Sequence, residues 1–223
     1  VKEVIRLLVV DHDDTAVASS RSVHYPAHRK LISELRPGMT PLSFEAWYEK
    51  NFDPGFAEYL KQDLGLDERE TKRSYEIWRS FADGIVPDFF DGMLDLLQRF
   101  RKQRGAVVVV SHSESDVVRA NYEAKGQGFL PDAIHGWNPD PTRRKPHPEL
   151  LRGLMQEFES TPETTLVVDD LKPGIDMGLG VGAMTAAAGW AHDIPVIEDY
   201  MRRVCDAYLH SVAELSEFIF GET

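Results

Sequence analysis

The sequence predicts an α/β protein, a doubly wound parallel sheet with a block of helices inserted after its first strand. Three observations carry this. Short apolar runs rich in valine each stop at polar or acidic residues: Leu7 to Val10 before Asp11, Ala106 to Val110 before Ser111, and Thr165 to Val168 before Asp169. Apolar runs of this kind read as strands buried on both faces, the condition of a parallel sheet. Segments with helical spacing lie between them, and strands alternating with helices argue for a doubly wound arrangement. From about Arg21 to Phe81, by contrast, there is no strand-like pattern.

The first strand ends in Asp11-His12-Asp13-Asp14-Thr15, three carboxylates within four positions. Alone, this stretch has two readings. Asp favours turns and helix N-caps. Carboxylates this close also repel unless they share a cation or a proton, and the carboxyl ends of parallel strands are where ligands bind. Amphipathic segments follow at roughly 27–36, 43–50, 54–64 and 67–82, separated by Pro37-Gly38, Pro41, Pro54-Gly55 and Gly65. With Trp47, Trp78 and several Phe and Tyr residues, this block can build a small core of its own. The predicted domains are therefore residues 1–17 and 87–223 for the α/β core, and 18–86 for the helical insertion.

Beyond Pro87, Asp91-Gly92 opens a helix with Met93, Leu94, Leu96, Leu97 and Phe100 at helical spacing and a basic last turn ending at Gly105. The strand Ala106 to Val110 comes next, then a helix from about Glu114 to Gly126 and a short strand at Ala133-Ile134. The loop Pro139-Asp140-Pro141 leads through Arg143-Arg144-Lys145-Pro146-His147-Pro148-Glu149 into a helix ending near Phe158. After the strand at 165–168 come a Gly-rich helix at 173–180, a strand from Ala183 to Ala187, a helix near 197–207, an edge strand at Ala207 to Leu209 and a last helix near 213–219.

Composition bounds the function. The 223 residues are enough for one domain carrying a smaller inserted one, and 42% hydrophobic with 28% charged residues is ordinary for a soluble globular protein. A formal charge of −12 disfavours nucleic acid and an acidic membrane surface as partners, while leaving room for a small phosphorylated substrate in a locally positive pocket. Cys205 is the single cysteine, so neither an intrachain disulfide nor a Cys-based metal cluster is expected, which fits a reducing cytosol. No stretch approaches the length of a transmembrane helix. The run Leu7 to Val10 is too short for a secretory leader and ends in acids. The expectation is a cytoplasmic protein, with nothing in the sequence separating a monomer from a dimer.

Three strands thus end in Asp11 to Asp14, Ser111, and Asp169-Asp170, and one loop presents Lys145. Parallel strands bring such ends to one edge of the sheet. Carboxylates without Cys or clustered His suit a hard cation such as Mg²⁺. A lysine and a hydroxyl suit a phosphoryl group, whose charge needs neutralising during transfer, and an Asp can itself be the nucleophile.

These four segments resemble the motifs of the haloacid dehalogenase superfamily, in the family's order. Val-Val-Asp11-His-Asp13-Asp14-Thr15 is similar to its Asp-x-Asp-x-Thr first motif, Val-Val-Val-Val-Ser111 to the second, Lys145-Pro146-His147-Pro148 to the Lys-Pro-x-Pro third, and Val-Val-Asp169-Asp170 to the acidic fourth. The resemblance spans about residues 4 to 190 and implies a Rossmannoid core with a helical first-type cap that closes over the site and selects substrates. It also implies roles. Asp11 would attack phosphorus; Asp13 would protonate the leaving oxygen and later activate water. Ser111 and Lys145 would hold the phosphoryl oxygens, with His112 a candidate substrate or cap contact. Mg²⁺ would be held by Asp11, the Asp13 backbone carbonyl, Asp170 and Asp169, the last directly or through water. Asp13 is typically absent from relatives that act on carbon–halogen or carbon–phosphorus bonds, so its presence points to phosphate-ester chemistry.

The expected function is a Mg²⁺-dependent phosphatase of a small phosphorylated metabolite, similar to phosphoglycolate phosphatases, working through an aspartyl phosphate. The runner-up is a phosphosugar mutase similar to β-phosphoglucomutase. A phospho-signalling receiver fits worse, because its acidic pair precedes its lysine, and a non-catalytic binding module leaves the filled catalytic positions unexplained. Asp14 stands where Gly is more usual and is expected to order the turn into the insertion. His12 has two open readings, a substrate contact or a side chain turned away. Arg143 and Arg144 read as a solvated loop; Arg21, His24, Tyr25 and Arg29 read as a polar helix face; Trp47 and Trp78 read as cap core.

Overall fold

The computed structural model describes residues 4–221. The chain forms two compact units, Val1–Val17 with Asp88–Thr223 and, separately, Ala18–Pro87.

Strand β1 (Leu7–Val10) belongs to the first unit. The second unit is helical. A π-helical turn (Ser20–His24) runs into α1 (Tyr25–Leu35), followed by α2 (Phe44–Phe52), one turn of helix α3 (Phe56–Glu58) continuing as a second π-helical turn (Tyr59–Asp63), and α4 (Glu68–Gly84). Leu31, Ile32, Tyr59, Leu60, Leu64 and Ile77 make its core. Helix α4 starts from a reciprocal capping box, with the Glu70 N–H donating to Asp67 Oδ1 at 2.8 Å and the Asp67 N–H to Glu70 Oε2 at 3.2 Å. The two widened turns were not legible in the sequence, because apolar spacing does not distinguish i→i+4 from i→i+5 bonding.

The chain then alternates: α5 (Met93–Gln103), β2 (Ala106–Val110), α6 (Ser115–Lys125), β3 (Ala133–His135), α7 (Pro148–Glu157), β4 (Thr165–Asp169), α8 (Lys172–Leu179), β5 (Met184–Ala188), α9 (Pro195–Val204), β6 (Ala207–Leu209) and α10 (Val212–Phe220). Helix α9 begins two residues before the spacing suggests, because Pro195 lacks the N–H that a first helical turn leaves unpaired. The strands form one parallel sheet in the order β3-β2-β1-β4-β5-β6. Side chains leave alternate faces. Leu8, Val10, Val107, Val109, Leu166 and Val168 meet α5, α6 and α10 on one side; Leu7, Val9, Val108, Val110 and Val167 meet α7 and α8 on the other. Each fully covered Leu or Val contributes about 1.5–3 kcal/mol relative to exposure. With both faces covered, function is left to the strand ends.

Candidate active site

The chain runs outward from β1 through β2 to β3, then crosses back to start β4 on the other side of β1. The carboxyl ends of β1 and β4 therefore flank the switch point, where such sheets open a crevice for ligands. Asp11 prolongs the β1 ladder, its N–H donating to the Val168 carbonyl at 2.9 Å. Asp169 is the last residue of β4 and Asp170 follows it. Between these two strands the carboxylates have nowhere to go but inward, and Asp11, Asp169 and Asp170 are all buried.

Lys145 joins them from the loop before α7. Its buried ammonium donates to Asp11 Oδ1 at 2.6 Å and to Asp169 Oδ2 at 2.7 Å. Burial alone would lower its pKa, but the two carboxylates outweigh that and hold it above the ordinary lysine value. Burial pushes the Asp11 carboxyl up to about 8, with Lys145 pulling it back and Asp169 and Asp13 adding to the rise. Asp169 is raised for the same first reason, with Lys145 again opposing. One ammonium cannot balance three buried carboxylates, and unpaired buried charge is expensive. Oxygens of Asp11, Asp169 and Asp170 lie within 4.8 Å of one another. An all-oxygen set with excess negative charge fits a hard divalent cation.

Asp13 sits at the rim, half-buried. Its Oδ2 accepts from Ser111 Oγ at 3.1 Å and from Ser113 Oγ at 2.6 Å. Thr15 braces the other side: its Oγ1 donates to Asp170 Oδ1 at 3.0 Å and accepts the Asp170 N–H at 3.1 Å. Asp14 has φ +59° and donates its N–H to the Val17 carbonyl at 2.7 Å, so it orders a left-handed turn. That conformation explains why glycine suits the position and why Asp is tolerated there.

The structure thus brings Asp11, Asp13, Ser111, Lys145, Asp169 and Asp170 to one end of the sheet. His112 is exposed, and its Nε2–H donates to the Lys145 carbonyl at 3.1 Å, bracing the backbone behind the ammonium. His12 packs into the core, with Nε2 3.0 Å from Asn121 Nδ2 and its ring 5.6 Å from that of Tyr122. Arg144 lies over the Trp137 ring and donates to the Asn138 and Pro139 carbonyls, which keeps it in its loop. In the helical unit, the Arg21 guanidinium lies 4.0 Å from the Phe44 ring centroid, His24 Nδ1 accepts from Trp78 Nε1 at 3.1 Å, and the Tyr25 hydroxyl donates to the Leu42 carbonyl at 2.7 Å. Those three serve internal contacts.

Sequence reasoning reached Ser113, Thr15 and Gly174 only as members of their motifs and gave none of them a role. A Cβ on Gly174 would lie 1.8 Å from Asp169 Oδ2, so helix α8 meets the acidic turn backbone to side chain. The motif that named Ser111 was already Ser-His-Ser, and alternation at a strand end was the signal for Ser113.

The class defined by this fold and this centre is an α/β enzyme whose working groups stand at the ends of parallel strands. Sequence comparison makes the class specific: residues 5–182 match the model of the haloacid dehalogenase-like hydrolase family, and the chain belongs to that family. No curated protein matches it. Among solved structures it is similar to CbbY from Rhodobacter sphaeroides in complex with xylulose-(1,5)bisphosphate, at 17% identity and TM-score 0.70 over 95% of this chain and 96% of that one. A predicted phosphoglycolate phosphatase from Haemophilus somnus gives 17% identity and TM-score 0.66 over 82% and 84%. The putative hydrolase YfnB from Bacillus subtilis bound to magnesium gives 16% and 0.66 over 97% and 99%. At such identities the likeness is one of fold. Among the described residues no helix is long and apolar enough to cross a membrane.

Proposed function

We propose that the chain is a Mg²⁺-dependent phosphatase of a small phosphorylated metabolite, working through an aspartyl phosphate on Asp11. The observation that carries this reading is the pairing at the end of β1: a buried carboxylate held 2.6 Å from a buried ammonium, with a second acid two residues on. Lys145 favours the ionised form of Asp11 against its burial and would neutralise phosphoryl oxygens as charge moves onto them. Asp11 forms the bond to phosphorus, Asp13 gives a proton to the departing ester oxygen and afterwards takes one from water. Ser111 would orient the phosphoryl group. Asp11, the Asp13 carbonyl, Asp169 and Asp170 would hold the Mg²⁺, whose charge stabilises the transferring phosphoryl group.

The descriptions of the similar structures agree in kind, naming a predicted phosphoglycolate phosphatase, a complex with a sugar bisphosphate and a magnesium-bound protein. We assign residues 18–87 to the role of the family's first-type cap. The test is phosphate release from a panel of phosphorylated metabolites with Mg²⁺. Release should stop in Asp11→Asn and in EDTA; activity that survives either removes the mechanism. An isomeric product without free phosphate would instead make the protein a mutase.

A further inference from the structure

Trp190 lies beyond the fourth motif and beyond residues 5–182 that match the family model, yet its side chain reaches the residue that braces Asp170. Strand β5 ends at Ala188, and the turn after it is packed against β6. The Gly189 N–H donates to the Leu209 carbonyl at 2.8 Å, and a Cβ on Gly189 would stand 2.4 Å from the Tyr208 ring. The Ala191 N–H closes the turn onto the Ala188 carbonyl at 3.2 Å. From this fixed turn the half-buried indole of Trp190 donates its Nε1–H to the Thr15 carbonyl at 3.1 Å. The same ring meets that of Phe90 edge to face, with centroids 6.4 Å apart, and the Phe90 N–H donates to the Ala16 carbonyl at 3.1 Å. One side chain thus ties three segments of the first unit: the turn after β5, the turn after β1, and the segment that begins at Asp88.

Thr15 is fully buried and is gripped from two sides. Its hydroxyl donates to Asp170 Oδ1 at 3.0 Å and accepts the Asp170 N–H at 3.1 Å, while its carbonyl accepts from Trp190. A hydroxyl that gives and receives with one residue tolerates little displacement of its own backbone, because hydrogen bonds weaken steeply with distance and angle. A buried carbonyl deprived of its donor is costly, so the main chain shifts to find another partner. We propose that Trp190 is a positioning residue for the metal site. By holding the Thr15 carbonyl it sets where Thr15 meets Asp170, and so the direction of the Asp170 carboxylate among the three acids that would hold Mg²⁺. This rests on the phosphatase reading, of which the Mg²⁺ site is part. Groups that bond a metal's ligands without touching the metal orient those ligands and tune affinity. The N–H and the ring can be tested apart, because phenylalanine at this position keeps an aromatic face against Phe90 and lacks the donor.

The experiment measures the Mg²⁺ Kd by titration calorimetry, without substrate, in wild type, Trp190→Phe and Phe90→Leu, with thermal unfolding in EDTA run alongside. Removing a group that bonds a metal ligand directly costs about 10–100-fold in affinity; Trp190 acts one residue further out, so Trp190→Phe should raise Kd about fivefold. Phe90→Leu loosens the ring contact and leaves the indole N–H in place. It should lower the unfolding temperature while changing Kd less than about twofold. A Trp190→Phe Kd within twofold of wild type overturns the assignment. An equal rise of Kd in Phe90→Leu also overturns it, since the indole would then act by packing alone. A wild-type chain that binds no Mg²⁺ overturns the metal reading, and the assignment with it; a failure confined to the variants leaves that reading standing.

Discussion

Gly174→Ala tests how tightly the acidic turn is built. The added Cβ would stand 1.8 Å from Asp169 Oδ2, 2.4 Å from its Cγ and 2.8 Å from its Cβ. Rotating the carboxylate relieves the first two contacts but not the third, so the end of β4 or the start of α8 must move as well. For ordinary van der Waals contact the oxygen has to retreat about 1.5 Å. That oxygen accepts from Lys145 at 2.7 Å and its twin accepts from the Leu171 N–H at 2.8 Å, so retreat costs two hydrogen bonds to a buried charge. Such bonds are worth about 1.5–3 kcal/mol each, against a helix-propensity gain of about 1 kcal/mol for Gly to Ala. The net expectation is a loss of about 2–5 kcal/mol in urea unfolding. A misplaced ligand carboxylate should also weaken Mg²⁺ binding in titration calorimetry and lower kcat/KM by about 10²-fold. Gly153→Ala is the matched control: it lies on the exposed face of α7 with open space around it and should be neutral or slightly stabilising. If Gly174→Ala is as stable and as active as wild type, Asp169 does not need its observed position.

Thr15→Val keeps shape but removes both bonds to Asp170, leaving its buried N–H without the hydroxyl; unfolding free energy should fall by about 2 kcal/mol, and Mg²⁺ affinity with it. Lys145→Met leaves Asp11 and Asp169 facing each other without their ammonium, which should cost about 3–5 kcal/mol in EDTA at neutral pH and abolish phosphate release. His28 makes stability pH-dependent. Its ring is buried among Tyr25, Trp47 and Tyr59 with neither nitrogen hydrogen-bonded, and burial lowers its pKa to about 4. The neutral form is the folded one, so its contribution is complete above the unfolded value near 6.5 and lost as pH falls toward 4. Between pH 7.5 and pH 5 this should remove about 2 kcal/mol of unfolding free energy. His28→Phe should flatten that slope; an unchanged slope would show that His28 is not its source.

How much of this was legible in the sequence follows from what each feature depends on. The strands were visible because continuous Val and Leu runs have only one use in a parallel sheet, and their ends were visible because acid stops the run at Asp11 and Asp169. The family resemblance paired Lys145 with Asp11, but nothing in the sequence pointed to its second bond, to Asp169. Local pattern alone records neither bond, since Lys145 stands 134 positions from Asp11; only the order of the four motifs brought the first pair together. Composition likewise identified the helical block but not its π-helical turns. His12 shows the limit from the other side: it sits between two site acids, yet the alternation of an extended chain turns it into the core beside Tyr122. Lying within a motif is therefore no guarantee of facing the site.

The same geometry explains why the centre is divided between backbone-fixed and loop-borne parts. Asp11 and Asp169 are held by the ladder of β1 and β4, and Asp170 by Thr15, so the anionic ligands are as rigid as the sheet. Lys145 and Ser113 come from loops, but each is clamped by a bond to its own backbone, from His112 for the first and from Trp137 for the second. A loop residue gains precision only when its main chain is tied down. His112 and Gly136 thus carry consequences beyond their own chemistry: one supports the ammonium that faces Asp11, the other lets the turn that orients Asp13 approach β3. Changing His112 should therefore disturb Lys145 even if His112 never touches substrate. His112→Ala is expected to lower kcat more than it raises KM, by about tenfold in kcat. A change confined to KM would instead place its ring against the substrate.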